Sequence, residues 1–179
     1  KDCAYVYMQF VYDSELLPNF PNLSFQVKGK NVHDPRTGSA VSDDAGRSNP
    51  ALCLRDYLTD TTYGLGATSD EINDTTSAGG FAAAANTCDQ DVTLADGSST
   101  EDRYTCNGFT DFASSGETIT AGILSSMAGT MTYSNGKFNC FAGANQTASL
   151  TITDDDCLRP INVVTNSISG DLANTVKAI

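Results

Sequence analysis

The chain has 179 residues, 40% hydrophobic and 18% charged, a balance that suits one folded domain or two small ones rather than a disordered segment. Its formal net charge of −12 leaves ten basic residues scattered singly. Without a Lys/Arg stripe, nucleic-acid binding is disfavoured, as is docking on an anionic membrane surface. The acidity is read as a solubility feature, and no run of about 18 apolar residues offers a membrane span.

The sequence opens Lys1-Asp2-Cys3 without Met or a signal-peptide pattern and stops at Ile179 in mid-pattern, so it reads as an excerpt of a longer protein. Ala4 to Tyr12 is dense in β-branched and aromatic residues and predicts a strand. Pro18 and Pro21 then hold Asn19-Phe20 extended, and Leu23 to Val27 alternates as a second strand with one buried face. Asn31 to His33 returns as a short strand into the turn Asp34-Pro35-Arg36-Thr37-Gly38, and Ser39 to Ser48 reads as a polar surface loop. At Asn49-Pro50 a capped helix begins, with Ala51, Leu54 and Leu58 on its buried stripe, and Gly64 and Gly66 close the segment.

Asp74 to Cys88 predicts a second helix through Ala78, Phe81, Ala82, Ala85 and Cys88, with Thr75 or Thr76 as cap. Val92 to Leu94 and Arg103 to Cys106 flank Asp96-Gly97-Ser98-Ser99 as a hairpin. Ser114-Ser115-Gly116-Glu117 has capping-box spacing for a third helix, which buries Ile119, Ile123 and Met127 and stops at Gly129. Thr130 to Phe141 is a hairpin around Asn135-Gly136. Ala148 to Ile152 and Ile161 to Val164 read as strands on either side of Asp154-Asp155-Asp156. The fold class is thus α+β: antiparallel hairpins with about three helices. The expected divisions are 1–70, 71–145 and 146–179.

No residue pattern assembles a catalytic site, and none is assigned; nor is any metal or cofactor. His33 is the only histidine and sits beside a turn, where a solvated or hydrogen-bonded role is the simpler reading. Asn135-Gly136-Lys137 lacks Walker-loop spacing. Asp89-Gln90-Asp91 and Asp154-Asp155-Asp156 offer carboxylates but do not match an EF-hand loop, so solvated acidic turns are preferred. Asn22-Leu23-Ser24 and Asn145-Gln146-Thr147 match glycosylation acceptors, which matter only in a secretory host. The six cysteines allow three disulfides, but the nearest two, Cys140 and Cys157, lie 17 positions apart, and reduced thiols in the core are preferred.

One resemblance is carried by an ordered run of motifs. It comprises Asn19-Phe20-Pro21, Phe25 to Lys30, Asp34-Pro35-Arg36-Thr37, Ser48 to Leu52, Arg55 to Thr59 and Tyr63 to Gly66. Downstream it continues through Ala84-Ala85 to Cys88-Asp89, Arg103 to Gly108 and the hairpin ending at Ala142-Gly143. Over about residues 4–145 the chain resembles the central tail tip protein family of lambda-like long-tailed phages, also called the tip attachment or host specificity protein J family. The resemblance implies a baseplate-hub-like segment of a larger virion protein. Such a segment assembles in the host cytoplasm and self-associates as a trimer against neighbouring tail tip and tube proteins, while other domains engage the host receptor. It transfers no catalytic residues. Two other classes stand beside it: a receptor- or glycan-binding adhesin domain using Ser39 to Ser48, Tyr57, Tyr63 and Tyr104, and a cell-wall hydrolase dependent on His33.

Overall fold

In a computed structural model of the chain, the described residues are 5–10, 13, 15, 19–110, 113–145, 150, 151, 153 and 156. Residues 1–143 form one compact unit and 144–179 a second. The fold is α+β, with four α-helices and three separate antiparallel hairpins among the described residues.

The first hairpin pairs β1 (His33–Asp34) with β2 (Ser39–Ala40) across the turn expected at Asp34 to Gly38, where the Gly38 amide donates to the Asp34 carbonyl at 2.9 Å. The polar loop that follows is not all loop: Asp44–Ser48 forms a short helix, α1. The Asp43 carboxylate caps α1 by accepting from the Gly46 amide at 2.7 Å.

Helix α2 (Pro50–Thr59) starts at Asn49-Pro50 as its sequence predicts. The Asn49 Oδ1 accepts from the Ala51 and Leu52 amides, and Pro50 has no amide hydrogen to leave unpaired. Ala51, Leu52, Leu54 and Leu58 are all fully buried, so the apolar face is wider than the predicted stripe. Helix α2 packs against α1, α3 (Phe81–Cys88) and α4 (Gly116–Ser126), and the core gathers around it from Val32 to Ala142, on both sides of residue 70.

Helix α3 begins seven residues later than predicted. Gly79 adopts φ +87°, Gly80 is the extended N-cap, and Ala78 is exposed, so the first predicted turn never winds. Residues 72–79 instead form a loop whose two ends, Ile72-Asn73 and Gly79, meet β6. Ile72 bridges Phe138 in parallel, and the Cys140 amide donates to the Gly79 carbonyl at 2.9 Å. Pairing with a strand edge outweighs a glycine-weakened helical turn here.

The second hairpin joins β3 (Asp91–Thr93) and β4 (Thr100–Asp102), with its second strand earlier than Arg103 to Cys106. Helix α4 is capped by Ser115 rather than Ser114, since the Ser115 Oγ accepts from the Thr118 amide. It buries Met127 fully and Ile119 nearly so, with Ile123 packed on the core rim. The left-handed stop falls on Ala128 (φ +46°), one residue before Gly129. The third hairpin, β5 (Thr130–Ser134) with β6 (Lys137–Phe141), turns on Asn135-Gly136 with both φ values positive, as that dipeptide predicts.

Two strand assignments fail. Residues 5–10 and 23–27 lie in no strand, and Leu23 to Val27 is exposed along both faces instead of burying one. Alternation equips a segment for a sheet, but a strand exists only against a partner backbone. Leu150 and Thr151 are also outside any strand. The remainder of Ala148 to Ile152 and all of Ile161 to Val164 lie outside the described residues.

Candidate functional site

Two surfaces of the first unit stand out. The first is an apolar strip carried by residues 5–10 and 20–27, which enclose a shallow cleft of about 550 Å³. Tyr5, Phe20 and Val27 are 88%, 75% and 74% exposed, and Phe25 and Tyr7 are also exposed. Phe10 and Phe20 meet edge to face at 5.1 Å, so part of the strip is internally ordered. Contiguous apolar surface of this kind marks contact with something other than water.

The second is a cleft of about 870 Å³ between the outer face of α2, residues 105–110 and one side of α4 from Thr118 to Ser126. Lys30 reaches across its edge to Asp56 at 2.8 Å and Asp60 at 2.6 Å. Burial opposes the Lys30 charge, but the hydrogen bonds to Asp56 and Asp60 outweigh it and raise the pKa. The Lys30 ammonium, followed by the Tyr63 and Thr62 amides, pulls Asp60 down to about 2. Tyr57, Tyr63 and Phe109 supply aromatic surface, Phe109 being 93% exposed.

Two thiols share this cleft. The Cys106 amide donates to the Ser48 carbonyl at 2.7 Å, and Cys53 Sγ lies 3.2 Å from the Arg47 carbonyl oxygen, the neighbouring acceptor. These adjacent carbonyls bring the two cysteines together, and a hydrogen bond between their side chains couples their ionisation. That hydrogen bond lowers Cys106 and, together with burial, drives Cys53 strongly upward. Cys88 and Cys140 differ, being fully buried and pushed up to about 11 and about 12 by burial, as inert core thiols are. Cys3 and Cys157 lie outside the described residues.

The sequence candidates scatter. Tyr57 and Tyr63 line the cleft, but Tyr104 is a brace, its hydroxyl donating to the Gly143 carbonyl at 2.6 Å. Of Ser39 to Ser48 only Arg47 reaches the cleft, and its guanidinium is held by Asp44 and Asn31. His33 is exposed in β1 opposite Ala40. The neighbouring Asp34 is committed to Arg36, which grips it through Nε and Nη2 at 3.0 and 2.9 Å. Burial works against the Asp34 charge, but the Arg36 hydrogen bonds prevail and lower its pKa.

Asp89, considered as a cation ligand, is occupied too: it accepts from Arg36 Nη1 and Asn49 Nδ2, each at 2.6 Å. Asp156 accepts from the Thr153 amide and hydroxyl, and the rest of that acidic run lies outside the described residues. Among the described residues no group of three potential ligands converges on a metal position, and no helix is long and apolar enough to cross a membrane.

Sequence reasoning missed Lys30, Asp56, Asp60 and the Cys53–Cys106 meeting. Each joins positions at least 26 apart, and no local spacing rule reports such distances. No family model and no curated protein matches the chain.

Proposed function

We propose that this chain is a structural, non-enzymatic module of a phage tail tip or baseplate hub. It would work in tail assembly and in host attachment or genome delivery, self-associating as a trimer and contacting neighbouring tail tip and tube proteins. It would be assembled in the host cytoplasm and carried in the virion. The observation that supports this most is the apolar strip on residues 5–10 and 20–27: large exposed side chains on backbone that lies in no strand. Beside it, the ordered polar groups of the core serve as braces. Asp34, Arg36, Asn49 and Asp89 tie the first hairpin to α2 and α3, and Arg55 grips Asp74 through Nε and Nη2 at 2.7 and 2.6 Å. Immunogold labelling of tailed particles with an antibody to this chain tests the reading. Gold at the tail tip is expected, and purified particles free of the antigen would overturn it.

A second reading is favoured by the larger cleft. Tyr57, Tyr63 and Phe109 beside Asp56 and Asp60 combine stacking surface with hydrogen-bond acceptors, the chemistry that binds a sugar face and its hydroxyls. A glycan array probed with the purified chain tests it. Binding that disappears in Tyr63→Ala supports a receptor-binding role, and a silent array counts against it.

A further inference from the structure

We propose that Cys53 and Cys106 form a reversible disulfide that fastens the wall of the larger cleft to α2. The two residues are 53 positions apart, yet both line this cleft. Adjacent carbonyls, Arg47 and Ser48, hold the Cys53 sulfur and the Cys106 backbone. Both thiols are partly exposed, whereas Cys88 and Cys140 are sealed in the core, so a small reagent entering the cleft meets only this pair among the four described cysteines. Nothing in the inference depends on a tail-tip role.

The chemistry balances with an exogenous disulfide as oxidant. Cys106, as thiolate, attacks one sulfur of the reagent. An S–S bond forms to Cys106, the reagent's own S–S bond breaks, and one small thiol leaves. Capping Cys106 removes the negative charge that held the proton on Cys53. Cys53 then ionises and attacks the Cys106 sulfur, displacing the second small thiol. Two protein thiols have been oxidised and one disulfide has been reduced to two thiols. The product links α2 to residues 105–110, the segment that carries Phe109, so its closure fixes the cleft's aromatic wall.

The test is peptide mapping of the purified chain after incubation with oxidised glutathione, without reduction. The expected product is a peptide pair joined through Cys53 and Cys106, with the melting temperature raised by roughly 10 °C. Cys106→Ser should abolish both effects. In Cys53→Ser the glutathione adduct should persist on Cys106, because the resolving thiol is gone. Cys53 and Cys106 remaining separately alkylable after oxidation would overturn the proposal. So would cross-linking of either to another cysteine instead, or a stable glutathione adduct on wild-type Cys106.

Discussion

At the scale of single residues, Asn49 uses both ends of its side-chain amide. Its oxygen caps α2, while its nitrogen donates to Asp89 and to the Ala85 carbonyl at the end of α3, and the residue is 1% exposed. The sequence announces the cap but not the second half, because Asp89 lies 40 positions away. Asn49→Ala should cost about 2–3 kcal/mol in urea unfolding, from a lost cap and buried partners left unpaired. Asn49→Asp keeps a capping oxygen but sets a carboxylate against Asp89, so it should also destabilise; two variants within about 0.5 kcal/mol of wild type would contradict this account. Acid should act through Asp34 and Asp60. Both have folded pKa values below the ordinary carboxylate value, so their stabilisation is present above about pH 4 and is lost as pH falls below it, for Asp60 through about 2. Asp60→Asn should therefore flatten the stability profile over that interval, and an unchanged slope would show that the Lys30 contact contributes nothing.

At the scale of elements, the end of α2 is set by close backbone approach. The chain doubles back so tightly that the Leu65 amide reaches the Tyr57 carbonyl at 3.1 Å, and a Cβ on Gly64 would lie 1.8 Å from that same oxygen. Gly64→Ala should thus lower stability by about 3 kcal/mol or more, since backbone rather than a flexible side chain must move. Gly122 is the control: it sits within α4 with open space around it, and Gly122→Ala should raise stability by about 0.5–1 kcal/mol. Thermal melts of the two variants decide it, and similar effects at both sites would refute the steric argument. The same contrast explains what was legible in the sequence. Asn49-Pro50, Asn135-Gly136 and the turn at Asp34 to Gly38 are local devices, and each appears where its residues place it. The start of α3 was not legible, because residues 72–79 exchange a helical turn for contact with β6, a partner more than 60 positions downstream. Leu23 to Val27 failed for the converse reason, its alternation being real and its partner not found among the described strands.

At the scale of the whole molecule, the two candidate surfaces differ in how much of them could be read in advance. The tyrosines of the cleft were visible as residue types, whereas Lys30, Asp56 and Asp60 become a unit only when the chain folds Lys30 and its neighbours back beside α2. The apolar strip is visible in the sequence as two strand patterns, of which Leu23 to Val27 is expected to bury one face, and its exposure is what makes association the central expectation. Each copy carries a net charge of −12, so copies repel one another at long range while the strip attracts at contact. Added salt screens the repulsion and leaves apolar burial intact, so assembly should strengthen between about 0.05 and 0.5 M salt, opposite to an interface held by ion pairs. Phe25→Asp with Val27→Asp places charge on two exposed positions, 54% and 74% accessible, which should leave the melting temperature of the single chain nearly unchanged. Sedimentation velocity over a concentration series reads both effects. Wild type is expected to reach the trimer mass and the double variant to remain monomeric at the same concentration. A wild type that stays monomeric at every salt level would remove the trimer from the proposed function. A double variant that assembles as well as wild type would move the contact away from this strip.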